Sequence, residues 1–469
     1  MLDTILEVAS QIDQILWGPW TLVFIALVAL FLTVKSGFFQ FRKLGFIFRN
    51  TFGRIFKQKD TVGKGKMTPF QATATALAST VGMGNIAGVA TALSIGGPGA
   101  IFWMWLLALF GMLTKTAEIT LAVHYRDIDK QGNVHGGPMY YIQKGLGWKF
   151  LAKLFCIGIL INSVLASSIL QTHTVGRAFL SSYGISPYIV IGAMIVIASF
   201  VIIGGIKRIG QFCEKLVPVM ALLYIIGGVI IFFANYTQIP EVFSMIFKYA
   251  FAFVPASGGL AGFVVKTAIK EGMAKGMLSS EAGLGTAPMV HATADTPHPF
   301  RQGIWGAFEV FIDTIAICTI TSFAVLSTGV LSSGKSGIEL VIDAFSSVYS
   351  SGIAGTFISV SILTFCLSTQ IGFFIYFETA FVNVFDKRYV RYFRWVYLLP
   401  GILFAGVANV ERLWVFANIS VGVCALPNLV ALLALNGVFF KLMKDYMSGK
   451  NRYPTEMTDS TQHYIRKAA

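Results

Sequence analysis

Apolar stretches separated by short polar loops follow one another along almost the whole chain. Most approach or exceed the roughly 20 residues that an α-helix needs to cross a hydrocarbon core of about 30 Å. The pattern predicts an all-α polytopic membrane protein with about eleven transmembrane helices, one leading helix and ten more. The predicted spans lie near residues 20–35, from 70 onward, and at 99–123, 152–180, 187–205, 216–235, 264–292, 303–330, 354–384, 391–409 and 413–440.

Two of these stretches are interrupted by glycine motifs. Gly82-Met83-Gly84-Asn85 breaks the segment that starts near Phe70, and Gly283-Leu284-Gly285-Thr286 breaks residues 264–292. Interruptions at corresponding positions of two halves are typical of secondary transporters with discontinuous helices. The opened helix ends expose backbone N–H and C=O groups, which must line a cavity because lipid cannot satisfy them. We call these motifs the first break and the second break.

The broken helices divide the ten spans into five and five, and an odd number per half predicts that the second half is inverted. The chain then reads as five regions. These are an interfacial N-terminal helix (1–17), an extra transmembrane helix with a basic cytoplasmic loop (18–68), the first five-helix repeat (69–236), an external interfacial helix with the second, inverted repeat (237–440), and a basic cytoplasmic tail (441–469).

The composition supports the membrane class, and the distribution of charge predicts how the chain is oriented in the membrane. The chain is 55% hydrophobic and 12% charged, with mean hydropathy +0.71. A net charge of +14 would suit nucleic acid, but the basic residues collect in alternate loops, for example Arg42 to Lys66 and the C-terminal tail. That alternation follows the positive-inside rule. It predicts a multi-pass protein of the inner or plasma membrane, N-terminus outside and C-terminus cytoplasmic, with no nucleic-acid partner.

The sequence lacks the motifs that are typical of a hydrolase or an ATP-driven pump. Its six histidines and five cysteines lack metal-ligand spacing, and there is neither a P-loop nor a G-x-S-x-G elbow. We therefore predict no enzymatic activity, no organic cofactor and no obligate protein partner. Lys266, Lys270, Glu271 and Lys275 make the segment 264–292 poorly apolar, and we expect most of these charges to snorkel outward or to pair.

The first break predicts two adjacent ion sites. Free N–H groups over Gly82, Met83, Gly84 and Asn85 suit a carboxylate, because a helix N-terminus carries partial positive charge. Free carbonyls near Ala78 and Val81, at the end of the preceding half-helix, suit a desolvated Na⁺. The alternative is close helix packing through small residues.

The second break carries hydroxyls and a carboxylate at Ser279, Ser280, Glu281 and Gly283. Together with opened carbonyls these groups could receive an ammonium group; alternatively, Glu281 caps the following half-helix. Other polar residues of the spans are open to two interpretations. Ser368 and Thr369 either act in a site or bond to their own helix, and Gln171 is a ligand contact or a bond between helices. The charged residues are expected to pair or hydrogen-bond between helices rather than to bind substrate: Lys115, Glu118, Glu309, Asp313 and Glu378.

Several motifs in order resemble the alanine or glycine:cation symporter family over residues 18–440. They are Thr80-Val-Gly-Met-Gly-Asn-Ile-Ala-Gly88, Gly96-Gly-Pro-Gly-Ala-Ile-Phe-Trp-Met-Trp105, Gly136-Gly-Pro-Met-Tyr-Tyr141, Ser280-Glu-Ala-Gly-Leu-Gly-Thr-Ala-Pro288 and His298-Pro-Phe-Arg-Gln-Gly303. The resemblance implies a LeuT-type fold of five plus five helices with one extra leading helix. It also implies a small neutral amino acid between the breaks, with its carboxylate on the Met83–Gly84 amides and its amine toward Ser279–Glu281.

The resemblance further implies roles for residues that the pattern alone left open. Gln171 matches a glutamine of the family's third core helix. A sodium site would use carbonyls near Ala78, Val81 and Phe365 with the hydroxyls of Ser368 and Thr369. Two departures from the family, Ser280 for asparagine and Phe373 for tryptophan, suggest a wider pocket, whereas Met83 replaces a smaller or polar residue and works against that.

These observations predict sodium-coupled symport of a small neutral amino acid, alanine or glycine, into the cell. The partners would be the amino acid, Na⁺ and membrane lipid. One alternative is a proton-coupled symporter with Glu281 as the carrier, and another is a symporter of broader specificity that accepts serine or glutamine. A more distant alternative is a channel or a non-transporting amino-acid sensor.

Overall fold

A computed structural model describes residues 2–55, 66–129, 132–251, 260–407 and 411–449, and these residues are almost entirely helical. Part of the predicted basic loop (56–65), Lys130, the end of the predicted external helix near Pro255 and the polar tail from Lys450 lie outside the described residues.

The helices follow in chain order, with short irregular connections. The α-helices of the first half are α1 (Leu2–Leu16), α2 (Pro19–Lys35), α3 (Phe39–Arg42), α4 (Leu44–Asn50), α5 (Pro69–Thr80), α6 (Val89–Gly96), α7 (Gly99–His124), α8 (Pro138–Leu146), α9 (Lys149–Asn162), α10 (Gln171–Tyr183), α11 (Pro187–Ile203), α12 (Gly205–Ala234) and α13 (Ile239–Phe251). Those of the second half are α14 (Leu260–Ser280), α15 (Ala287–His291), α16 (Pro299–Val310), α17 (Thr319–Ser327), α18 (Gly337–Ser346), α19 (Ser351–Val384), α20 (Val390–Leu398), α21 (Pro400–Leu403), α22 (Glu411–Ala434) and α23 (Asn436–Met447).

Shorter elements complete the described chain. Three π-helical segments cover Gly84–Gly88, Ser163–Leu170 and Phe311–Cys318. Single 3₁₀ turns cover Phe52–Arg54, Tyr236–Gln238, Val330–Ser333 and Lys387–Tyr389. Two strands, β1 (Asp127–Ile128) and β2 (Val134–His135), form an antiparallel hairpin in which Asp127 is opposite His135.

The described residues contain seven helices long and apolar enough to cross a membrane, or eight if one bent pair counts as a single span. The predicted class of polytopic helical membrane protein is thereby confirmed. Three predicted spans look different in the structure. Helix α11, in the predicted span 187–205, is apolar but has only 17 residues and is not among the seven. The stretch 391–409 is divided into α20 and α21, because Pro400 starts a new helix. Helix α14 is not among the seven, and it carries the charges that made its sequence poorly apolar.

Local sequence determines where α5, a helix that leads into the first break, begins. Thr68 caps α5 in a reciprocal capping box, in which the Gln71 N–H donates to Thr68 Oγ1 (3.0 Å) and the Thr68 N–H donates to Gln71 Oε1 (3.2 Å). Pro69 then occupies the first helical position, where its missing N–H costs nothing. This start fixes α5 at the end remote from the first break.

The core is built around two long helices. Helices α7 and α19 are mostly buried inside the protein, whereas α2 and α12 present much of their apolar surface outward, as lipid-facing helices do. Helix α7 packs along α14 and α16, and α19 packs against α5, α9 and α10. Both broken helices therefore rest on the two most buried helices.

Candidate functional site

At the first break the chain bends by 52° between α5 and the helical segment Gly84–Gly96. Two amides exposed by the bend are bound by side chains. The Gly82 N–H donates to Asn85 Oδ1 (3.0 Å), and the Met83 N–H donates to Gln171 Oε1 (3.1 Å). The structure thus brings Gln171, from α10, onto a backbone amide that the sequence analysis assigned to a substrate carboxylate.

Gly82 has no room for a side chain. A Cβ placed there would lie 2.6 Å from Thr369 Oγ1 and 2.8 Å from Gln171 Nε2. Those distances are shorter than ordinary van der Waals contact, so glycine permits the approach of α10 and α19 to this backbone. Gly82 thus lets side chains of α10 and α19 pack closely against the first break.

Five oxygens meet beside the first break. Ser368 Oγ lies 3.3 Å from the carbonyl oxygen of Ala78 and 2.8 Å from that of Phe365. Thr369 Oγ1 lies 3.3 Å from the carbonyl oxygen of Val81 and 2.9 Å from that of Phe365. We call these carbonyl and hydroxyl oxygens the oxygen cluster. Opened carbonyls next to hydroxyls are the donor set with which discontinuous helices coordinate Na⁺.

The second break has a left-handed backbone. Glu281, Gly283 and Gly285 have φ angles of 52°, 97° and 78°, and a non-glycine residue in this region is strained. Thr286 Oγ1 donates to Glu281 Oε2 (2.7 Å), and the Ala282 N–H donates to Ser280 Oγ (3.3 Å). The side chains of Ser280 and Glu281 therefore bond within their own turn.

A buried lysine binds the end of α14. Lys115 Nζ, on α7, donates to the Ser280 carbonyl (2.8 Å) and lies 3.1 Å from Glu309 Oε1. Glu309 Oε2 lies 3.1 Å from His291 Nε2, and all three of these side chains are fully buried. The expectation that Lys115 and Glu309 pair between helices holds in the structure. The lysine also neutralises the partial negative charge of the α14 C-terminus.

The two breaks are joined by three polar residues. Asn85 Nδ2 donates to Ser279 Oγ (3.0 Å) and to Asp313 Oδ1 (2.7 Å), and Ser279 Oγ donates to Asp313 Oδ2 (2.7 Å). We call Asn85, Ser279 and Asp313 the junction cluster. The sequence analysis expected Asp313 to bond between helices, as it does, but did not assign it to the site. The signal for a site was an isolated carboxylate inside an apolar span.

Irregular helix surrounds this junction. Asn85 and Asp313 lie in π-helical segments, and Gln171 directly follows a third. A π-helical turn inserts one residue into the helical register and re-aims the side chains next to it, and such turns are frequent at functional sites. The sequence pattern gave no indication of these segments, because one extra residue in a turn hardly alters an apolar run.

A cavity of about 770 Å³ reaches this region from the protein surface, and we call it the vestibule. Met83 and Gly84 form its base, while exposed Lys335 lies at its mouth with Gly334 and Ser336. Its walls come from several helices and include Thr91, Arg177, Lys275, Leu278, Glu339, Trp414 and Asn418. The base of the vestibule is therefore the backbone that the sequence predicts to hold a carboxylate.

The other predicted substrate residues are placed behind the base or elsewhere. Gly82, Asn85, Gln171, Ser279 and Thr369 lie directly behind the base, as their contacts with the first break show. Three more residues are engaged away from the vestibule: the Gly283 carbonyl accepts from Asn428 Nδ2 (2.9 Å), Glu281 bonds Thr286, and the Phe373 ring packs on Tyr376 (4.9 Å between centroids).

The opposite side of the site is closed by backbone pairing. The Met67 N–H donates to the Thr293 carbonyl (3.1 Å), and the Asp295 N–H donates to the Met67 carbonyl (2.8 Å). Lys66 Nζ lies 3.0 Å from Asp295 Oδ1, and Arg126 donates to the carbonyls of Ala292 and Ala294. These contacts tie the residues before α5 and the residue Arg126 after α7 to the segment after α15, and we call them the closure.

Comparison of the sequence with known proteins identifies the family to which the chain is similar. The family model for sodium:alanine symporters matches residues 2–460. An uncharacterized transporter of Haemophilus influenzae is 39% identical over 446 residues, covering 94% of this chain and 96% of that protein. The sodium/alanine symporter AgcS of Methanococcus maripaludis is 37% identical over 440 residues, covering 92% and 95%.

A solved structure shows the fold. The crystal structure of MhsT in complex with L-phenylalanine matches with a TM-score of 0.54 at 16% identity, over 80% of this chain and 90% of that chain. This similarity concerns the fold alone, and the fold is of the LeuT type.

Proposed function

The chain belongs to the sodium:alanine symporter family, so it is a transporter and not an enzyme, and on that premise we propose that it carries a small neutral amino acid into the cell together with Na⁺. The observation that carries this proposal is the oxygen cluster next to the base of the vestibule. One short backbone segment, Val81 to Gly84, contributes both to that cluster and to that base.

Sodium would bind in the oxygen cluster through the carbonyls of Ala78, Val81 and Phe365 and the hydroxyls of Ser368 and Thr369. Two of these carbonyls belong to α5 and its end, and the other three oxygens belong to α19. A bound cation would therefore tie the first broken helix to α19. All five oxygens of the cluster are uncharged. Uncharged ligands suit a monovalent cation, which must be released again on the other side of the membrane.

The substrate would bind between the breaks. Its carboxylate would take the amides of Met83 and Gly84, and on the Met83 amide it would replace Gln171 Oε1, which accepts from that N–H now. Its amine would face Ser279, the residue of the 279–281 stretch that reaches the first break. Ser280, Glu281 and Gly283 would shape the turn behind it, and Phe373 would act from α19 through packing.

The full architecture extends the fold to eleven spans. Counting α14 with its break, α11, and α20 with α21 as spans gives one leading helix and two five-helix repeats, the second inverted. The basic loops then place the N-terminus and the vestibule outside and the closure on the cytoplasmic side. The regions 1–17, 18–68, 69–236, 237–440 and 441–469 keep the roles that the sequence gives them.

Coupling would follow from the shared backbone segment. Na⁺ at Val81 would fix the carbonyl end of the break and hold the neighbouring amides of Met83 and Gly84 in place for the substrate. The effect must be reciprocal, so that the amino acid raises the sodium affinity by the same factor. Joint occupancy would shift the population toward a state with the vestibule closed.

The test is uptake of labelled alanine into proteoliposomes under an inward sodium gradient, with matched potassium at equal pH as the reference. Accumulation above equilibrium only with sodium supports the proposal. Thr369→Val should then raise the sodium concentration for half-maximal uptake by about tenfold or more, because the cation loses one of its five proposed oxygen ligands. Thr364→Val is the matched control on the same helix, since its hydroxyl bonds Val360 and lies outside the oxygen cluster.

Other outcomes favour the alternatives. Accumulation driven by a proton gradient and indifferent to sodium would favour a proton-coupled symporter with Glu281 as the carrier. Uptake that never exceeds equilibrium would indicate a channel, and binding without uptake would indicate a sensor.

A further inference from the structure

Lys275 is a vestibule cation that forms no salt bridge in the described part of the chain, although Asp13 and Glu271 lie close enough to attract its charge. Its ammonium lies over the ring of Trp414, 5.1 Å from the centroid, and both residues line the vestibule. The other two cations of the vestibule wall are paired, Arg177 with Glu339 (3.6 Å) and Lys335 with Asp343 (2.7 Å). None of the ion pairs within the described ranges involves Lys275. The ammonium instead faces the vestibule and the Trp414 ring.

The lysine lies one helical turn from the predicted substrate position. Ser279, four residues further along α14, contacts Asn85, and its Cα is 3.8 Å from where a Cβ of Gly84 would be. Residues four apart lie on the same helix face, about 6 Å apart along the axis. A ligand bound at the Met83 and Gly84 amides thus has Lys275 on the wall beyond its α-carbon.

The size of the vestibule leaves room in that direction. At about 770 Å³ it extends well past the few atoms of an alanine. From carboxylate carbon to side-chain oxygen, an extended glutamine spans roughly 6 Å by standard bond lengths, which matches one helical turn. Lys275 and apolar Leu278 are the residues that α14 contributes to the vestibule, so the ammonium is the polar group that α14 presents to a substrate side chain.

We propose that Lys275 is a specificity-determining residue that donates a hydrogen bond to a side-chain oxygen of the transported amino acid. The substrate class is then amino acids whose side chain ends in a hydroxyl, amide or carboxylate oxygen, in addition to alanine. Hydrogen bonds from a charged donor are about twice as strong as neutral ones. The inference rests on the proposed function, because it assumes that the substrate carboxylate binds at Met83 and Gly84.

The acids near α1 lie on the other side of this lysine. A separate cavity of about 80 Å³ is lined by Lys275 together with Asp13, Lys270 and Glu271. The lysine is thus part of the wall between this small cavity and the vestibule. Trp414 lines only the larger of the two, and its ring holds the ammonium on the side where a ligand enters.

The experiment compares inhibitors of labelled alanine uptake by the full chain in proteoliposomes with sodium. Unlabelled glutamine, asparagine, serine and glutamate compete against alanine in the wild type and in Lys275→Met, which keeps an unbranched side chain and removes the ammonium. We expect the potency of glutamine relative to alanine to fall about tenfold or more in Lys275→Met. Lys275→Arg should retain that relative potency. Lys335→Met, which removes a vestibule charge already paired with Asp343, should leave the ratio as it is.

Two results would overturn the inference. One is a wild type in which no amino acid with a side-chain oxygen competes; the other is an unchanged ratio in Lys275→Met. Should Lys275→Met fail to fold, as judged by size-exclusion elution, Trp414→Leu removes the ring that positions the ammonium and must lower the same ratio. Failure of the proposed function appears separately, as a wild type without sodium-dependent alanine uptake.

Discussion

At the scale of single residues, the first break depends on a missing side chain. Gly82→Ala would put a methyl group 2.6 Å from Thr369 Oγ1 and 2.8 Å from Gln171 Nε2. Overpacking of this kind costs about 1–3 kcal/mol, and here it displaces a proposed sodium ligand. We expect the sodium concentration for half-maximal uptake to rise by about tenfold or more, measured in proteoliposomes.

A second glycine serves as the control for that substitution. A Cβ at Gly192, in α11, would meet only Ile402 Cδ1 at 3.8 Å, which is ordinary contact. Gly192→Ala should therefore leave the sodium dependence unchanged. Equal sodium dependence in Gly82→Ala and the wild type would show that Thr369 is not a sodium ligand.

Asp313 is the residue whose role was hardest to see in the sequence. Its carboxylate accepts from Asn85, Ser279 and Thr314, so it fixes the junction of both breaks. Asp313→Asn would replace one accepting carboxylate oxygen by an amide group that donates. This donor would then face a group that also donates at this position in the wild type. We expect uptake at saturating sodium to fall by about tenfold to a hundredfold, as loss of a hydrogen bond to a charged group implies.

The matched control for Asp313 lies at the vestibule mouth. Asp343→Asn makes the same chemical change in a carboxylate that pairs with exposed Lys335, and it should retain nearly full uptake. Full activity of Asp313→Asn would mean that the junction cluster is structural only.

Among single residues, the sequence alone predicted the roles that depend only on neighbours along the chain. The carbonyls of Ala78 and Val81 were predicted because any helix broken by glycine exposes them. The contribution of Ser368 and Thr369 came from a family resemblance, since a contact across 290 residues leaves no local trace. Lys275 could not be assigned to a site from the sequence, because only the fold brings it into the wall of the vestibule.

At the scale of helices, the apolar pattern predicted the positions of the long helices but not their irregularities. Helix α12 begins at Gly205, about three turns before the expected apolar run at 216–235, because amphipathic residues extend the same helix toward its N-terminus. Helix α18 supplies Glu339 to the vestibule and lies in what the pattern assigned to a loop. Short elements of this kind are specified by packing, which no window of hydropathy detects.

The link between α7, α14 and α16 gives a prediction about stability. Lys115→Met would leave the carboxylate of Glu309 buried without its cation, and breaking one partner of a buried pair typically costs about 3–5 kcal/mol. We expect a clear fall in the melting temperature of the purified protein. The double variant Lys115→Met with Glu309→Gln should recover part of that loss, because the uncompensated charge is gone.

The double variant also separates stability from transport. The Ser280 carbonyl loses the Lys115 ammonium in both variants, so uptake should stay low even where the melting temperature recovers. A single variant as stable as the wild type would contradict the view that this pair holds the second break in shape.

At the scale of the whole molecule, one side of the site is open and the other is closed. The vestibule leads to Met83 and Gly84, whereas the closure pairs Met67 with the chain beyond α15. Transport requires the reverse arrangement as well, so the closure must open in part of the cycle. The balance between these states is set by contacts worth a few kcal/mol at most, which small changes can move.

The last prediction concerns that balance. A cysteine at Thr91, on the vestibule wall, should react with a membrane-impermeant thiol reagent, and the background should be low because the five native cysteines are all buried. Adding Lys66→Met removes a partly exposed ion pair of the closure, worth up to about 1 kcal/mol. The labelling rate at position 91 should then fall up to about fivefold, since fewer molecules keep the vestibule open. Lys144→Met, which removes a comparable ion pair with Asp127 outside the closure, should leave the rate unchanged. If neither Lys66→Met nor Lys144→Met changed the labelling rate, Lys66 would not be needed to hold the closed side. Backbone pairing at Met67 would then be sufficient to do so.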